Sequence, residues 1–354
     1  MNRTEFIVAI AIILFVVFTL GWFAHWVVHR FTRVSKSDIG EFERMSQELH
    51  EAEESRDQAI AYLQQRESEL SSQLNQSEAE LRAAMDGLRE ARLEAEEMRA
   101  YIEWLEAHHA AGAGGHSLAQ FFRVNGHVVI PALAQAARHP AILAPVEAIL
   151  GPDLLAWSVE LFIKEPGSAK TVSWHQDITY WGMGETNDEV TAWVALSDVS
   201  QQAGCMRFLP GSHLGGIVPH NDTFAADNLL SRGQEIGGVD EAQAVHGPLS
   251  PGQMSLHHGR CFHASGPNQG TDRRIGLAIR YVTPAVRDHA PGRDWAMPVR
   301  GEVPRGGWDC IAGARGLFDA ADLALYDRIL MGQSAALSAG ATGKVALYEK
   351  GSAT

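Results

Sequence analysis

Cysteine is scarce in this chain: Cys205, Cys261 and Cys310 are the only three, far apart and in no CxxC pair. That spacing excludes a disulfide framework and a cysteine-built zinc ribbon, and free thiols suit a reducing compartment. Positive charge is short as well. The 29 basic residues stand against 43 acidic ones, a formal net charge of −14. A nucleic-acid partner is thereby disfavoured, since phosphate binding needs a positive surface. Charge of either sign is missing from Phe6 to Val28, and proline is missing from Ser37 to His109. These two gaps divide the chain.

The uncharged run "FIVAIAIILFVVFTLGWFAHWVV" has the length of the roughly 20 apolar residues that cross a bilayer. It lacks the shorter core and small-residue cleavage site of a signal peptide. Trp22 and Trp26 lie toward one end, where indoles favour the interface, and Arg30, Arg33 and Lys36 follow, while Arg3 is offset by Glu5. The positive-inside rule then places the rest of the chain in the cytoplasm. Residues 1–36 are therefore expected to be a single-pass anchor in the inner (cytoplasmic) membrane.

Residues 37–109 are rich in Glu, Ala, Leu, Arg and Gln. From residue 60 a heptad can be laid down with Ile60, Glu67, Leu74, Leu81, Leu88, Ala95 and Ile102 at a, and Leu63, Leu70, Ser77, Ala84, Ala91, Met98 and Leu105 at d. The apolar majority predicts a coiled coil, hence a homo-oligomer and most simply a dimer. Its alanines, Glu67 and Ser77 make it a weak one. At 1.5 Å per residue a fully helical segment would extend roughly 100 Å. "AAGAGGH" at 110–116 predicts a hinge between independent units.

From 117 to 354 the grammar changes. Short apolar or alternating runs such as "LLAWSVELFIK", "EVTAWVALSDV" and "RRIGLAIRYVTP" are punctuated by Gly, Pro, Asn and Asp. This predicts a mainly β domain, a sandwich or barrel, with helices near "HPAILAPVEAILG" and "AADLALYDRILMGQSAAL".

Two stretches carry the chemistry. "SWHQD" sets His175 and Asp177 two apart, on one face if the segment is a strand. "HASGPN" offers His263. Two imidazoles and one carboxylate make the facial triad of non-haem Fe(II) oxygenases, which leaves open positions on the metal. A lone HxD is weak evidence, and His257, of the same strand parity as His263, is a rival ligand. Around these residues stand "TVSWHQDITYWG", "TAWVALSDVSQQAGCMRFLPGSH" (191–213) and "HASGPNQGTDRRIGLAIRY" (263–281). In them the sequence resembles the phytanoyl-CoA dioxygenase (PhyH) family of Fe(II)/2-oxoglutarate-dependent oxygenases, across roughly residues 117–310.

That resemblance implies a double-stranded β-helix, the jelly-roll or cupin-like barrel. It implies that His175, Asp177 and His263 hold Fe(II), and that Arg274, eleven residues after His263, holds the distal carboxylate of 2-oxoglutarate. A guanidinium fork suits a carboxylate. Ser265 is expected to assist, Trp193 to line the cosubstrate pocket, and Lys164 in "FIKEPG" to reach cosubstrate or substrate. Arg273, Glu160, Gln176 and His213 receive no role; Arg273 is expected to make a surface or loop contact. The insertion 214–247 is expected to cover the site. The implied reaction is hydroxylation of an unactivated C–H of an unidentified small or lipid-like substrate, with O2 consumed and 2-oxoglutarate converted to succinate and CO2. The carboxylate at 177 argues against halogenation, whose enzymes have a small residue there. The family has more chain ahead of its first metal strand than 117–174 supplies, which leaves an outer support in question. A second reading, motivated by that short front and the anchor, is a catalytically silent membrane-tethered scaffold or sensor that uses the barrel for binding. A cupin-type enzyme without 2-oxoglutarate is disfavoured by Arg274.

Overall fold

A computed structural model describes residues 2–32, 36–287, 293–302, 306–338 and 345. Arg33, one of the basic residues after the apolar run, lies outside the described residues. The chain divides into two compact units, Met1–Ala83 and Ala84–Thr354.

The first unit is helical. Helix α1 (Arg3–Phe31) buries no residue, and its apolar side chains from Phe6 to Phe31 are largely exposed. By length and composition it is the one helix among the described residues able to cross a membrane, a test that a signal sequence also passes. Helix α2 (Lys36–His109) begins in this unit and carries no proline along its length.

The second unit starts inside α2, not at residues 110–116. Ala95, Ile102 and Leu105 are buried and join the domain's main core, with Met98 and Tyr101 packed against it. Ala95, Met98, Ile102 and Leu105 are the last a and d positions of the heptad. The pattern was real, but its final two heptads face their own domain. From Ile60 to Leu88 the large a and d residues remain exposed: Ile60, Leu63, Leu70, Leu74, Leu81 and Leu88. The expected hinge is a folded turn. Ala113 and His116 bridge to each other, and Gly112 adopts φ +70°, where a Cβ would sit 1.9 Å from the His116 carbonyl oxygen. The turn leads from α2 into α3 (Leu118–Arg123), capped by Ser117. Two ion pairs fix the helix end: Arg99 meets both Asp272 oxygens at 2.8 Å, and Arg273 meets both Glu106 oxygens at 2.8 Å. Arg273 also pairs with Glu165, so it points away from the domain interior as strand parity predicts.

After α4 (Pro131–Ala136) and α5 (Pro140–Leu150) come the strands. They are β1 (Leu154–Lys164), β2 (Val172–His175), β3 (Glu189–Ala195), β4 (Met206–Phe208), β5 (Asn221–Asp222), β6 (Gln234–Glu235), β7 (Val245–Gly247), β8 (Met254–His257), β9 (His263–Ser265), β10 (Arg274–Val282), β11 (Asp294–Arg300) and β12 (Trp308–Cys310). Helix α6 (Ala320–Ser338) follows. One sheet runs β12-β11-β1-β10-β3-β8 and a second β2-β9-β4-β7. Residues of both line one cavity, so the sheets face each other as a jelly-roll-like sandwich. Strand β10 pairs with β1 and β3 and is buried over its whole length. Its residues Ile275, Leu277, Ile279 and Tyr281 point outward, into the layer formed by α3–α6 and the end of α2. Arg274, Ala278 and Arg280 point into the cavity. The outer support that 117–174 leaves short is supplied in part by α2.

Leu105→Ala should therefore destabilise the domain by about 2–5 kcal/mol, the usual cost of emptying a packed leucine site. Arg82→Ala, at an exposed helix position off the apolar stripe, should stay within about 0.5 kcal/mol. Chemical denaturation of both variants checks this, and equal losses would contradict the inclusion of the helix end in the core.

His127 is buried, and neither ring nitrogen has a hydrogen-bond partner among the described residues. Burial, with the Arg138 charge adding, lowers its pKa from 6.5 to about 3. The unfolded chain binds this proton near pH 6.5 and the folded chain does not. Its contribution is thus complete above about 6.5 and is lost as pH falls toward 3, by about 1.4 kcal/mol per unit. Between pH 7.5 and 5, His127→Phe should lose about 2 kcal/mol less stability than the unsubstituted protein; parallel losses would contradict the assignment.

Candidate active site

Strand β2 ends at His175. Gln176 keeps an extended backbone (φ −114°, ψ 124°), and a 3-10 turn begins at Asp177. Asp177 is thus not on the strand, as the i, i+2 reading assumed, yet the extended link at 176 still turns both side chains to one point. His175 lies opposite His263 across the β2–β9 pair, with ring centroids 4.1 Å apart. Asp177 Oδ1 is 3.1 Å from His175 Nε2 and 3.9 Å from His263 Nε2. The three side chains are buried, and one ligand atom from each falls within 4.8 Å of the others.

Each imidazole is oriented from behind. His175 Nδ1 lies 2.9 Å from the Ser173 carbonyl and 3.1 Å from that of His263; His263 Nδ1 lies 2.9 Å from the Cys261 carbonyl. Carbonyls only accept, so Nδ1 carries the proton and Nε2 faces the centre with a free lone pair. Burial, reinforced by His175, lowers His263 well below its usual value and keeps it neutral. For Asp177 burial alone would raise the pKa. The Arg280 charge leads the effects that outweigh it, and the carboxyl stays well below its usual range. Two neutral nitrogens and one anionic oxygen, oriented and desolvated, fit a divalent iron ion. His257 is outside this group; it lies beside the His263 ring, 4.7 Å between centroids.

At the other end of the cavity, Arg274 is buried with no carboxylate partner among the described residues, and its Nε makes no hydrogen bond. Burial lowers it to about 10, which still leaves it charged at neutral pH. Its guanidinium lies over the Trp193 ring, 4.5 Å from the centroid. That ring occupies the place of a missing side chain: a Cβ at Gly276 would fall 1.8 Å from Trp193 Cζ2. Ser265 lines the cavity and donates its hydroxyl to Gly204 O at 2.8 Å. Lys164, expected to reach cosubstrate or substrate, is placed otherwise. Its Nζ donates to Ser265 Oγ at 2.7 Å, Gly266 O at 2.5 Å and Ser265 O at 3.3 Å, and it is not among the cavity-lining residues. It braces Ser265 from behind, and burial, with the Arg274 charge adding, lowers the amine from 10.5 to about 6.

Several residues given no role prove structural to the site. Gln176 is buried; its amide donates to Gly216 O at 3.1 Å and Arg260 O at 3.0 Å and accepts from Val218 N at 2.9 Å. It ties the His-Gln-Asp link to the insertion. The Ser-Gly-Pro-Asn turn is explained by Asn268, which donates to Lys164 O at 3.0 Å and Asp272 O at 2.9 Å and accepts from Gly270 N. It holds the loop that leads into Arg274. From the insertion, Leu230 lines the cavity. Arg280 and Glu160 form a further pair beside Asp177; the visible signal for Arg280 was its even spacing from Arg274 on one strand.

A buried His-Asp-His centre between two facing sheets, with an unpaired guanidinium in the same cavity, is the arrangement of a non-haem iron oxygenase. The family model for phytanoyl-CoA dioxygenase (PhyH) matches residues 88–276, just over half of the chain, and the chain belongs to that family. A probable alpha-ketoglutarate-dependent hypophosphite dioxygenase of Stutzerimonas stutzeri is 32% identical over 163 residues, 45% of this chain and 55% of that protein. The peroxisomal phytanoyl-CoA dioxygenase of Homo sapiens is 30% identical over 148 residues, 41% of this chain and 44% of that one. The chain thus spans about half the length of the curated relatives it matches. Among solved structures, the non-haem monooxygenase ThoJ in its apo form is 36% identical, with a TM-score of 0.61, covering 70% of this chain and 91% of that one. The triad and these relatives point to iron(II), 2-oxoglutarate and O2.

Gly276→Ala should displace the Trp193 ring and cost about 1–3 kcal/mol, the range for overpacking a close-packed site. Thermal unfolding with near-ultraviolet circular dichroism reads both effects; an unchanged aromatic spectrum and midpoint would contradict the packing described.

Proposed function

We propose that the protein is a membrane-tethered Fe(II)- and 2-oxoglutarate-dependent hydroxylase. The observation that carries the reading is the buried, uncompensated Arg274 in the same cavity as the His175, Asp177 and His263 cluster. An isolated interior charge is costly and calls for an anionic partner. In this reading the three clustered residues hold iron(II). Arg274 binds the distal carboxylate of 2-oxoglutarate, the Ser265 hydroxyl assists by turning to it from Gly204 O, Trp193 fixes the guanidinium plane, and Lys164 fixes Ser265. Bound iron supplies the oxidation: with O2, 2-oxoglutarate goes to succinate and CO2, and one oxygen atom becomes a hydroxyl on a C–H carbon of the substrate. Asp177 fills the place that a halide takes in related halogenases, so hydroxylation is the outcome proposed.

The substrate is a small or lipid-like molecule. Leu230 separates the cavity from an outer cleft of about 550 Å³ that Phe122, Arg123, Leu161, Lys170 and Phe224 help to line. We assign that cleft as its route inward. The α1 helix is read as a single-pass anchor with the oxygenase in the cytoplasm. Dimerisation is assigned to the exposed stripe from Ile60 to Leu88, because the later heptads are covered by the domain itself. The family relationship and the assembled triad do not favour a catalytically silent scaffold.

Full-length protein in detergent, loaded anaerobically with Fe(II), should develop the weak visible charge-transfer band of chelated 2-oxoglutarate. Arg274→Ala should weaken that binding by about 10- to 100-fold, the worth of a charge-assisted hydrogen bond. His175→Ala should abolish the band and succinate release. A folded, iron-loaded protein without any band would move the scaffold reading to first place.

A further inference from the structure

The two oxygens of Asp177 have different surroundings. Oδ1 faces both imidazoles, whereas Oδ2 faces Arg280, whose Nε is 3.6 Å away. Arg280 is itself constrained. Its Nη1 meets Glu160 Oε1 at 2.8 Å, and that oxygen also accepts from Ser158 Oγ at 2.9 Å. The guanidinium lies against the Trp181 ring, 5.2 Å from its centroid, and Trp181 is braced by Trp157 at 5.2 Å. Ser158 lies opposite Arg280 in the β1–β10 register, so two adjacent strands supply the arginine and its anchors Ser158 and Glu160.

We propose that Arg280, set by Glu160 and Trp181, is the positioning residue for the carboxylate ligand of the metal centre: it holds Oδ2 so that Asp177 offers Oδ1 alone. The inference rests on the iron-centre reading above. It explains why a second arginine is built into this cavity. Among the described residues Arg274 has no anionic partner and is left for a ligand; Arg280 has two and is committed to the protein.

Charge and geometry make opposite demands here, which makes the role testable. A guanidinium beside a divalent cation repels it. Glu160 offsets that charge, so the pair supplies orientation with little net field. If Arg280 acted through charge alone, its removal would tighten cation binding, because Asp177 and Glu160 would both remain. If it positions Asp177, removal loosens binding despite the gain in negative charge. The carboxylate then turns freely or spreads both oxygens toward the ion.

The experiment is an anaerobic Co(II) titration of the full-length protein in detergent, followed by visible absorption, which reports ligand number and geometry as well as affinity. Arg280→Met should weaken Co(II) binding by about 10- to 100-fold, the usual effect of losing an outer partner of a ligand, and alter the visible spectrum. Arg280→Lys should recover part of the affinity. The double variant Arg280→Met, Glu160→Gln removes both charges together and leaves neither unpaired; it should fold even where the single variant does not, and still bind Co(II) more weakly. Unchanged or tighter binding with an unchanged spectrum, in whichever of these variants folds, overturns the proposal. Absence of His175-dependent Co(II) binding in the unsubstituted protein overturns the iron-centre reading itself, and the proposal with it.

Discussion

The site depends on one strand that is buried on both faces. In β10 the sequence Arg-Ile-Gly-Leu-Ala-Ile-Arg-Tyr-Val alternates between two solvents, neither of which is water. Outward, Ile275, Leu277, Ile279 and Tyr281 anchor the helical layer. Inward, two arginines are separated by Gly276, whose missing side chain makes room for the Trp193 ring, and by Ala278, which lines the cavity. Burying two guanidinium groups on one strand face is costly unless each finds an anion. Arg280 finds Glu160 and Asp177 within the chain, while Arg274, among the described residues, meets an aromatic face and no anion. That difference separates a cation that holds the protein together from one that waits for a ligand.

The same constraint governs which supporting residues the site requires. A carboxylate and two imidazoles brought within 4.8 Å repel or collapse unless their orientations are fixed. Backbone carbonyls fix the two rings, Arg280 faces the spare oxygen of Asp177, and Gln176 locks the link between His175 and Asp177. At the other end, Lys164 and Asn268 secure Ser265 and the approach to Arg274. The polar groups near the cavity thus fall into those that touch it and those that hold others in place.

Much of this was legible in the sequence, and the residues that were misread share a cause. His175, Asp177, His263, Arg274, Ser265 and Trp193 all gather at the cavity because their identities and spacing belong to a chemical task. Strand periodicity also sent Arg273 to the outer surface correctly. Lys164 was assigned from its nearness to the metal strand, and nothing local in the sequence shows that Ser265 and Gly266 already supply its acceptors. Arg280, Gln176 and Asn268 went without roles for a related reason. Their importance lies in partners far away in sequence, such as Gly216, Arg260 and Lys164, which no local pattern shows.

The long helix makes the same point about apolar stripes. A heptad reports that one face avoids water, not what covers it. From Ile60 to Leu88 the large residues of the stripe are exposed among the described residues, whereas Ala95, Ile102 and Leu105 are enclosed by the sandwich's own helical layer. The family match begins at residue 88, close to this change. The helix end therefore belongs to the oxygenase fold, and its ion pairs reach Asp272 and Arg273, the two residues before Arg274. A cut at the glycine-rich turn would remove that layer and those pairs together. The physical boundary of the domain lies in the middle of a continuous helix, where composition gives no sign of it, because the hydrogen bonding of a helix is indifferent to which solvent its side chains meet.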